Sequence, residues 1–283
     1  MTADPHERTV ITRPEGPLSV VTAGDHGTPV VLLSGGGRDN ALLSWRHLIP
    51  ALARDHRVFA PDWPKQGRSR PWRGTADHAA LLSVVDTVLD HFALERVALV
   101  GLSQGGALTL AYAIEHPARV DRLVAIAPAG TLSFPPLVHQ LLWLTARSRF
   151  LNTTLPGLML RSRTGVERFV RTTLIPEPVP DLDAIVDEIV QESRANGSGS
   201  SDWQNASIGF TRMNVDLLPR LSAITCPALF VQGDRDVGVD PRRTAAAAAR
   251  VPGARLETIE GAGHWVNRQC PDRVEALVRA FLA

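Results

Sequence analysis

The chain has 283 residues, of which 44% are hydrophobic and 21% are charged, and its formal net charge at neutral pH is +1. This composition is ordinary for a globular protein and excludes a disordered or collagen-like chain. The near balance of charge also argues against a nucleic-acid binder that works through bulk positive charge.

Short apolar runs alternate with helical patterns through the first half of the chain. Residues 9–12 and 18–22 predict a leading antiparallel hairpin. Further predicted strands lie at 30–34, 57–60, 97–102 and 122–127, and predicted helices between them at 41–54, 76–92 and 104–115. Because successive parallel strands need a crossover, usually a helix, this alternation predicts an α/β fold: a mostly parallel twisted sheet with helices on both faces.

The alternation stops between residues 130 and 221. Helical patterns occur there at 136–147, 164–173, 181–195 and 202–213, without a recognisable strand. The alternation then resumes with predicted strands at 228–233 and 254–259 and predicted helices at 241–250 and 271–282. We interpret the middle region as a helical insertion between two strands, and a long insertion of this kind is more often functional than idle.

The motif Gly101-Leu102-Ser103-Gln104-Gly105 follows a predicted buried strand and opens a predicted helix. That is the setting of the G-x-S-x-G nucleophile elbow, in which a strained turn exposes the serine and the flanking glycines leave room for the close strand and helix. The motif predicts Ser103 as a nucleophile and the N–H of Gln104 as an oxyanion donor. The alternative is an ordinary serine that caps the helix.

A serine hydroxyl is a weak nucleophile and needs a base, for which histidine is suited near neutral pH. Of nine histidines, His264 lies among small residues between the last predicted strand and the last predicted helix. We predict His264 as the base, and Asp236, in the loop after strand 228–233, as the acid that orients it. Asp234 is the alternative acid, and Asp240 is predicted to cap the following helix.

The second oxyanion donor is expected in the loop that follows strand 30–34. That loop contains Gly35, Gly36 and Gly37, and three glycines allow backbone N–H groups to approach a ligand closely. We predict the N–H of Gly36 as the donor. A phosphate-binding role is disfavoured because no Lys-Ser/Thr follows the glycines.

Together, the elbow, the Gly-rich loop, the acid loop and the Gly-His-Trp segment resemble the α/β-hydrolase superfamily over about residues 18–282. Residues 62–69, DWPKQGRS, are similar to its Asp-x-Pro-x-x-Gly-x-Ser loop. The resemblance implies an α/β-hydrolase core of residues 1–130 and 222–283 and a helical cap, or lid, of residues 131–221. One departure is Ser34, which stands where the family usually has histidine.

The resemblance implies a serine hydrolase that cleaves a small-molecule carboxylic ester or lactone through an acyl-enzyme, with a Ser-His-Asp triad. The alternatives are a carbon–carbon bond hydrolase of ring-fission products, a biosynthetic cyclase or acyltransferase, a perhydrolase, or a small-molecule receptor. The carbon–carbon hydrolases are ranked second because Leu102 and Arg38-Asp39 replace the Asn and Pro-Gly expected in that group. Ser103 argues against haloalkane dehalogenases, in which the resemblance would require Asp.

Aromatic and methionine side chains of the insertion are predicted to line an apolar substrate pocket. With Gly35 and Gly37, the predicted substrate-binding residues are Trp143, Trp203, Phe210, Met213 and Trp265. The basic stretch of residues 161–171 offers a contact for a substrate carboxylate, although a solvated helix face is the more common role. No metal or organic cofactor is expected, because the histidines lack ligand spacing such as H-E-x-x-H.

The remaining signals concern location and partners. Cys226 and Cys270 are too few for a disulfide framework, and the first residues have no apolar signal-peptide core. The uncharged stretches 97–114 and 123–146 are interrupted by glycines, prolines or polar residues, which disfavours membrane spans. We therefore expect a cytoplasmic monomer or homodimer that acts on a small molecule and binds neither nucleic acid nor membrane.

Overall fold

The computed structural model describes residues 6–132, 134–160, 162–196 and 201–283. An eight-stranded sheet in the order β1-β2-β4-β3-β5-β6-β7-β8 forms its centre. The strands are β1 Glu7–Arg13, β2 Gly16–Ala23, β3 Pro29–Leu33, β4 Arg57–Pro61, β5 Val97–Leu102, β6 Val120–Ile126, β7 Ala228–Gly233 and β8 Arg255–Ile259. Strand β2 pairs antiparallel with β1 and β4, and the other neighbours are parallel. The predicted hairpin and the mostly parallel sheet are therefore confirmed.

Helices cover both faces of this sheet. They are α1 Ala41–Trp45, α2 Leu48–Leu52, α3 His78–His91, α4 Gln104–Glu115, α5 Pro136–Arg147, α6 Leu155–Met159, α7 Arg163–Phe169, α8 Leu182–Asn196, α9 Asp202–Ser207, α10 Pro241–Ala248, α11 Val266–Gln269 and α12 Pro271–Leu282. No described helix is both long and apolar enough to cross a membrane.

Successive strand residues point to opposite faces of the sheet, so each strand contributes to two cores. Val31 and Leu99 join one buried cluster, which includes α3 and α4, whereas Val30 and Val100 join the other, which includes α1, α2 and α12. Strand β5 is buried along its whole length, as expected for a central parallel strand covered on both faces.

Helices α5 to α9 lie between β6 and β7, and we call residues 131–221 the insertion. The described part of the insertion contains no strand, only an antiparallel bridge between Ile208 and Met213. That bridge corrects the helix predicted over 202–213, which ends at Ser207. Gly209 lies in the turn, where a Cβ would come within 2.2 Å of the Arg212 carbonyl oxygen. Helix α6 was not predicted, and the helix predicted over 41–54 is divided into α1 and α2.

Candidate active site

Ser103 lies at the sharp turn between β5 and α4. Its backbone has φ +53° and ψ −112°, a conformation that L-residues rarely adopt and that costs about 1–3 kcal/mol. Three backbone hydrogen bonds hold the turn. The Ser103 N–H donates to the Ile126 carbonyl at 2.9 Å, and the Ser103 carbonyl accepts the N–H groups of Ala107 and Ala129, both at 3.0 Å. The Ser103 side chain makes no capping hydrogen bond to α4, so the alternative of an N-capping serine is wrong.

The two glycines of the motif are required by close backbone contacts. A Cβ on Gly101 would lie 2.3 Å from the Gly105 carbonyl oxygen, and one on Gly105 would lie 2.0 Å from that of Leu33. Any side chain at either position would separate α4 from the strands beneath it. The first turn of α4 is therefore held against the carboxyl ends of β3 and β5.

His264 and Asp236 form a buried pair on the loops after β8 and β7. His264 Nδ1 lies 2.9 Å from Asp236 Oδ2, and the Asp236 side chain is fully shielded from solvent. Because ionised Asp236 only accepts hydrogen bonds, the network assigns the proton to Nδ1 and leaves Nε2 as the basic nitrogen. By contrast, the alternative acid Asp234 is exposed, and Asp240 caps α10 as predicted.

Asp236 is held in its ionised form. Its Oδ1 accepts the N–H groups of Gly238 and Val239 at 2.7 and 2.9 Å, and Oδ2 accepts Gln232 Nε2 at 2.9 Å. Burial raises the pKa of Asp236, but the hydrogen bond and charge of His264, with the Val239 and Gln232 donors, outweigh it and lower the pKa below the ordinary value. The carboxylate can thus orient the imidazole and stabilise its protonated form.

The Gly-rich loop lies over Ser103 and the start of α4. A Cβ on Gly35 would come 3.8 Å from Ser103 Cβ, and one on Gly36 would come 2.5 Å from Gln104 Oε1. The N–H of Gln104 belongs to the first turn of α4, where backbone N–H groups have no intrahelical acceptor and the helix dipole is positive. Gly36 and Gln104, the two predicted oxyanion donors, are therefore adjacent beside Ser103.

Asp39, which the motifs did not identify as a site residue, holds this loop. Its buried carboxylate accepts the Gly35 N–H at 2.7 Å, the Ser44 hydroxyl at 2.5 Å and the Asn40 N–H at 2.8 Å. Burial raises the pKa of Asp39 to about 6 despite these bonds. Ser34 does not take over this role, because its hydroxyl is buried without a partner in the described chain. An acidic residue directly after the Gly-rich loop was the only available signal.

A cavity of about 590 Å³ joins the loops to the insertion. Ser103, Gln104 and His264 line it together with Gly35, Gly36 and Gly37. No hydrogen bond joins Ser103 to His264 within the described residues, and such contacts often tighten only when substrate binds.

The insertion contributes most of the apolar wall of this cavity. Of the predicted pocket residues, Trp203, Met213 and Trp265 line it. Trp143 and Phe210 are absent from the described lining and pack edge to face with ring centroids 5.3 Å apart. Phe210 is 52% exposed. The sequence patterns did not single out several other apolar lining residues, including Leu132, Leu142, Leu160 and Ile189.

The basic stretch lies on an exposed helix face. Arg171 Nε pairs with Glu167 at 3.0 Å, and Arg163 pairs with Asp183 and Asp187. Arg161 lies outside the described residues. Among the residues that are described, no three His, Cys, Asp or Glu side chains come together as a metal-binding group.

Comparison with known proteins identifies the relatives of this fold. A family model described as alpha/beta hydrolase fold matches residues 28–268. The chain is 30% identical to epoxide hydrolase A of Mycobacterium tuberculosis, with 94% of each sequence covered. It is 26% identical to a 2-hydroxy-6-oxo-6-phenylhexa-2,4-dienoate hydrolase of Burkholderia cepacia, covering 91% of this chain and 88% of that one. The carboxylesterase CesB of Bacillus subtilis has a similar fold, with TM-score 0.76, 23% identity and coverage of 99% and 93%.

Proposed function

Because the chain belongs to the alpha/beta hydrolase fold family, we propose that it is a serine hydrolase that cleaves a small-molecule carboxylic ester or lactone. The observation that carries this proposal is the buried Asp236–His264 pair, which opens onto the same cavity as Ser103 at its strained turn. A base, its orienting acid and a nucleophile that the substrate can reach are the groups that acyl transfer requires.

In the proposed mechanism, Ser103 Oγ attacks the substrate carbonyl carbon while His264 Nε2 takes the hydroxyl proton. The N–H groups of Gly36 and Gln104 stabilise the oxyanion that forms. His264 then protonates the leaving alcohol as its bond to carbon breaks, which leaves an acyl ester on Ser103. Water, deprotonated by His264, attacks that ester, and His264 returns the proton to Ser103 Oγ as the bond from Oγ to the acyl carbon breaks, which releases the acid and free Ser103.

The chemistry of serine also separates this reaction from epoxide opening, the activity for which one relative is named. Attack of a serine hydroxyl on an epoxide would form an ether, which has no acyl carbon for water to attack. Acyl transfer regenerates Ser103 by ordinary hydrolysis. The nucleophile therefore favours a carbonyl substrate over an epoxide.

We further propose that residues 131–221 act as the cap over this site. Trp203, Met213 and Ile189, which come from the insertion, line the same cavity as Ser103. The insertion is joined to the core by polar contacts, including Glu192 with Arg70 at 3.0 Å. A cap that supplies most of the apolar wall selects the body of the substrate, while the core loops perform the chemistry.

Carbon–carbon bond hydrolysis is the second candidate. It is favoured by the similarity to the Burkholderia cepacia dienoate hydrolase over 91% of this chain and by Trp265 in the cavity wall. It is disfavoured by Leu102 before the nucleophile and Arg38-Asp39 in the loop. The same triad serves both reactions, so the two candidates are distinguished by comparing hydrolysis of esters and lactones with hydrolysis of ring-fission products.

The first experiment treats wild type and Ser103→Ala with a fluorophosphonate probe, read by intact mass, together with hydrolysis of 4-nitrophenyl acetate and butyrate. We expect a single adduct on wild type, none on the variant, and parallel loss of turnover. An adduct on wild type without hydrolysis of any ester in a broad panel would favour the carbon–carbon bond hydrolase instead. Absence of any adduct would overturn the proposed nucleophile.

A further inference from the structure

Arg38 lies in the Gly-rich loop directly after Gly37 and lines the cavity that contains Ser103 and His264. It is two residues from Gly36, so their Cα atoms lie within about 7 Å of each other. The guanidinium group is therefore carried by the same short loop as the proposed oxyanion donor. Its side chain is half-buried.

Arg38 has no partner within the described chain. Its Nε is buried without a hydrogen bond, and it takes part in no ion pair there. The neighbouring Asp39 forms no ion pair with Arg38, and its carboxylate instead accepts hydrogen bonds from Gly35, Asn40 and Ser44. Burial alone lowers the pKa of Arg38 to about 10, so the group still carries its charge at neutral pH.

The rest of the cavity makes this charge unusual. Of the described lining residues, none is Asp, Glu or Lys, and Arg38 is the only arginine. Most of the remaining wall is apolar, from residues such as Leu142, Phe169 and Ile189. A partly desolvated cation without a counter-ion is costly, and an anionic ligand group in the cavity would offset that cost.

We propose that Arg38 binds a free carboxylate of the substrate. The substrate would accordingly be an apolar ester or lactone that carries, in addition to the acyl bond that is cleaved, a separate carboxylate group. The planar guanidinium matches a carboxylate through two parallel N–H···O hydrogen bonds. A single cation balances one negative charge, whereas a phosphate monoester carries nearly two. This inference rests on the proposed function, because it names the substrate class of the same site.

The test compares two substrates that differ in one charge, 4-nitrophenyl hydrogen adipate and methyl 4-nitrophenyl adipate. We expect wild type to prefer the anionic ester in kcat/KM, and Arg38→Gln to lower the ratio of anionic to neutral kcat/KM by about 10- to 100-fold. Arg38→Lys retains part of the preference. Arg250→Gln, at an exposed arginine after α10, removes the same charge and leaves the ratio unchanged.

A binding measurement separates this inference from the proposed chemistry. In the Ser103→Ala background, calorimetry with methyl hydrogen adipate should give at least about 10-fold weaker binding when Arg38→Gln is added. Dimethyl adipate should show no such loss. Equal binding of the monoacid with and without Arg38 would overturn the inference, whatever the turnover. If the fluorophosphonate probe did not label Ser103 and no ester was turned over, but binding of the monoacid still depended on Arg38, the proposed function would be overturned and this inference would stand.

Discussion

The carboxylate of Asp39 accepts the backbone N–H of Gly35 at 2.7 Å and so holds the Gly-rich loop above Ser103. The same oxygen accepts the Ser44 hydroxyl, which ties the loop to α1. A buried acid with a raised pKa is thus part of the support for the proposed oxyanion donors.

Asp39 should make stability fall as the pH rises. Burial raises its pKa to about 6 in the folded protein from an ordinary value of 3.8. The folded state therefore binds more protons between these values, and the stability present below pH 3.8 is lost as the pH rises through 6. Relative to Asp39→Asn, wild type should lose up to about 3 kcal/mol over the whole titration, of which about 2 kcal/mol falls between pH 4.5 and 7.5. Urea unfolding of both proteins at pH 4.5 and 7.5 measures this, and a parallel pH dependence would contradict it.

Asp236→Asn should lower kcat by about 10³- to 10⁴-fold, because an amide no longer selects the Nδ1–H tautomer or stabilises protonated His264. Asp234→Asn is the matched control, since Asp234 is exposed and lies two residues away in the same loop. Steady-state hydrolysis of 4-nitrophenyl butyrate compares them. Equal loss in the two variants would refute the assignment of the acid.

Gly36→Ala should lower kcat by about 10²-fold, because its Cβ would lie 2.5 Å from Gln104 Oε1 and displace an oxyanion donor. Gln104→Ala removes that obstructing side chain and keeps the Gln104 backbone N–H. The double variant should therefore recover much of the activity lost by Gly36→Ala. Additive losses in this double-mutant cycle would show that the steric explanation is wrong.

Gly105→Ala should destabilise the protein by about 3 kcal/mol or more, because a Cβ there would lie 2.0 Å from the Leu33 carbonyl oxygen. Gly106→Ala is the matched comparison, since its nearest contact is Pro128 Cα at 3.0 Å and small shifts can relieve it. We expect about 1 kcal/mol for that variant. Thermal unfolding measures both, and the reverse order would contradict the packing described for the elbow.

Glu192→Ala should loosen the insertion from the core. This buried carboxylate on α8 accepts the Gly67 N–H and Arg70 Nη1, both at 3.0 Å. Removing it leaves the Gly67 N–H and the 30% exposed Arg70 guanidinium without that partner, which costs about 1–2 kcal/mol. Asp183→Ala, on the same helix, breaks only an exposed pair with Arg163 and should cost less than about 1 kcal/mol. Limited proteolysis within residues 131–221 should accelerate only in the first variant.

Local patterns in the sequence determined the frame of this protein. Short continuous apolar runs identified the strands, and β5, β7, α4, α5 and α12 have the predicted bounds. The spacing of Gly101, Ser103 and Gly105 predicted the elbow, because the close contacts that demand glycine arise within one strand and the next helix. The end of α9 does not follow from the local pattern, because the Ile208–Met213 bridge competes with helix formation and the helix ends at Ser207.

What only the tertiary structure decided is which side chains share a space. Trp203 lines the cavity and Trp143 does not, although both are aromatic residues of the insertion. Asp39 is satisfied within its loop, and Arg38 beside it has no described partner. These outcomes depend on how distant segments pack and on which charges burial leaves unpaired, and neither quantity is contained in the spacing of residues along the chain.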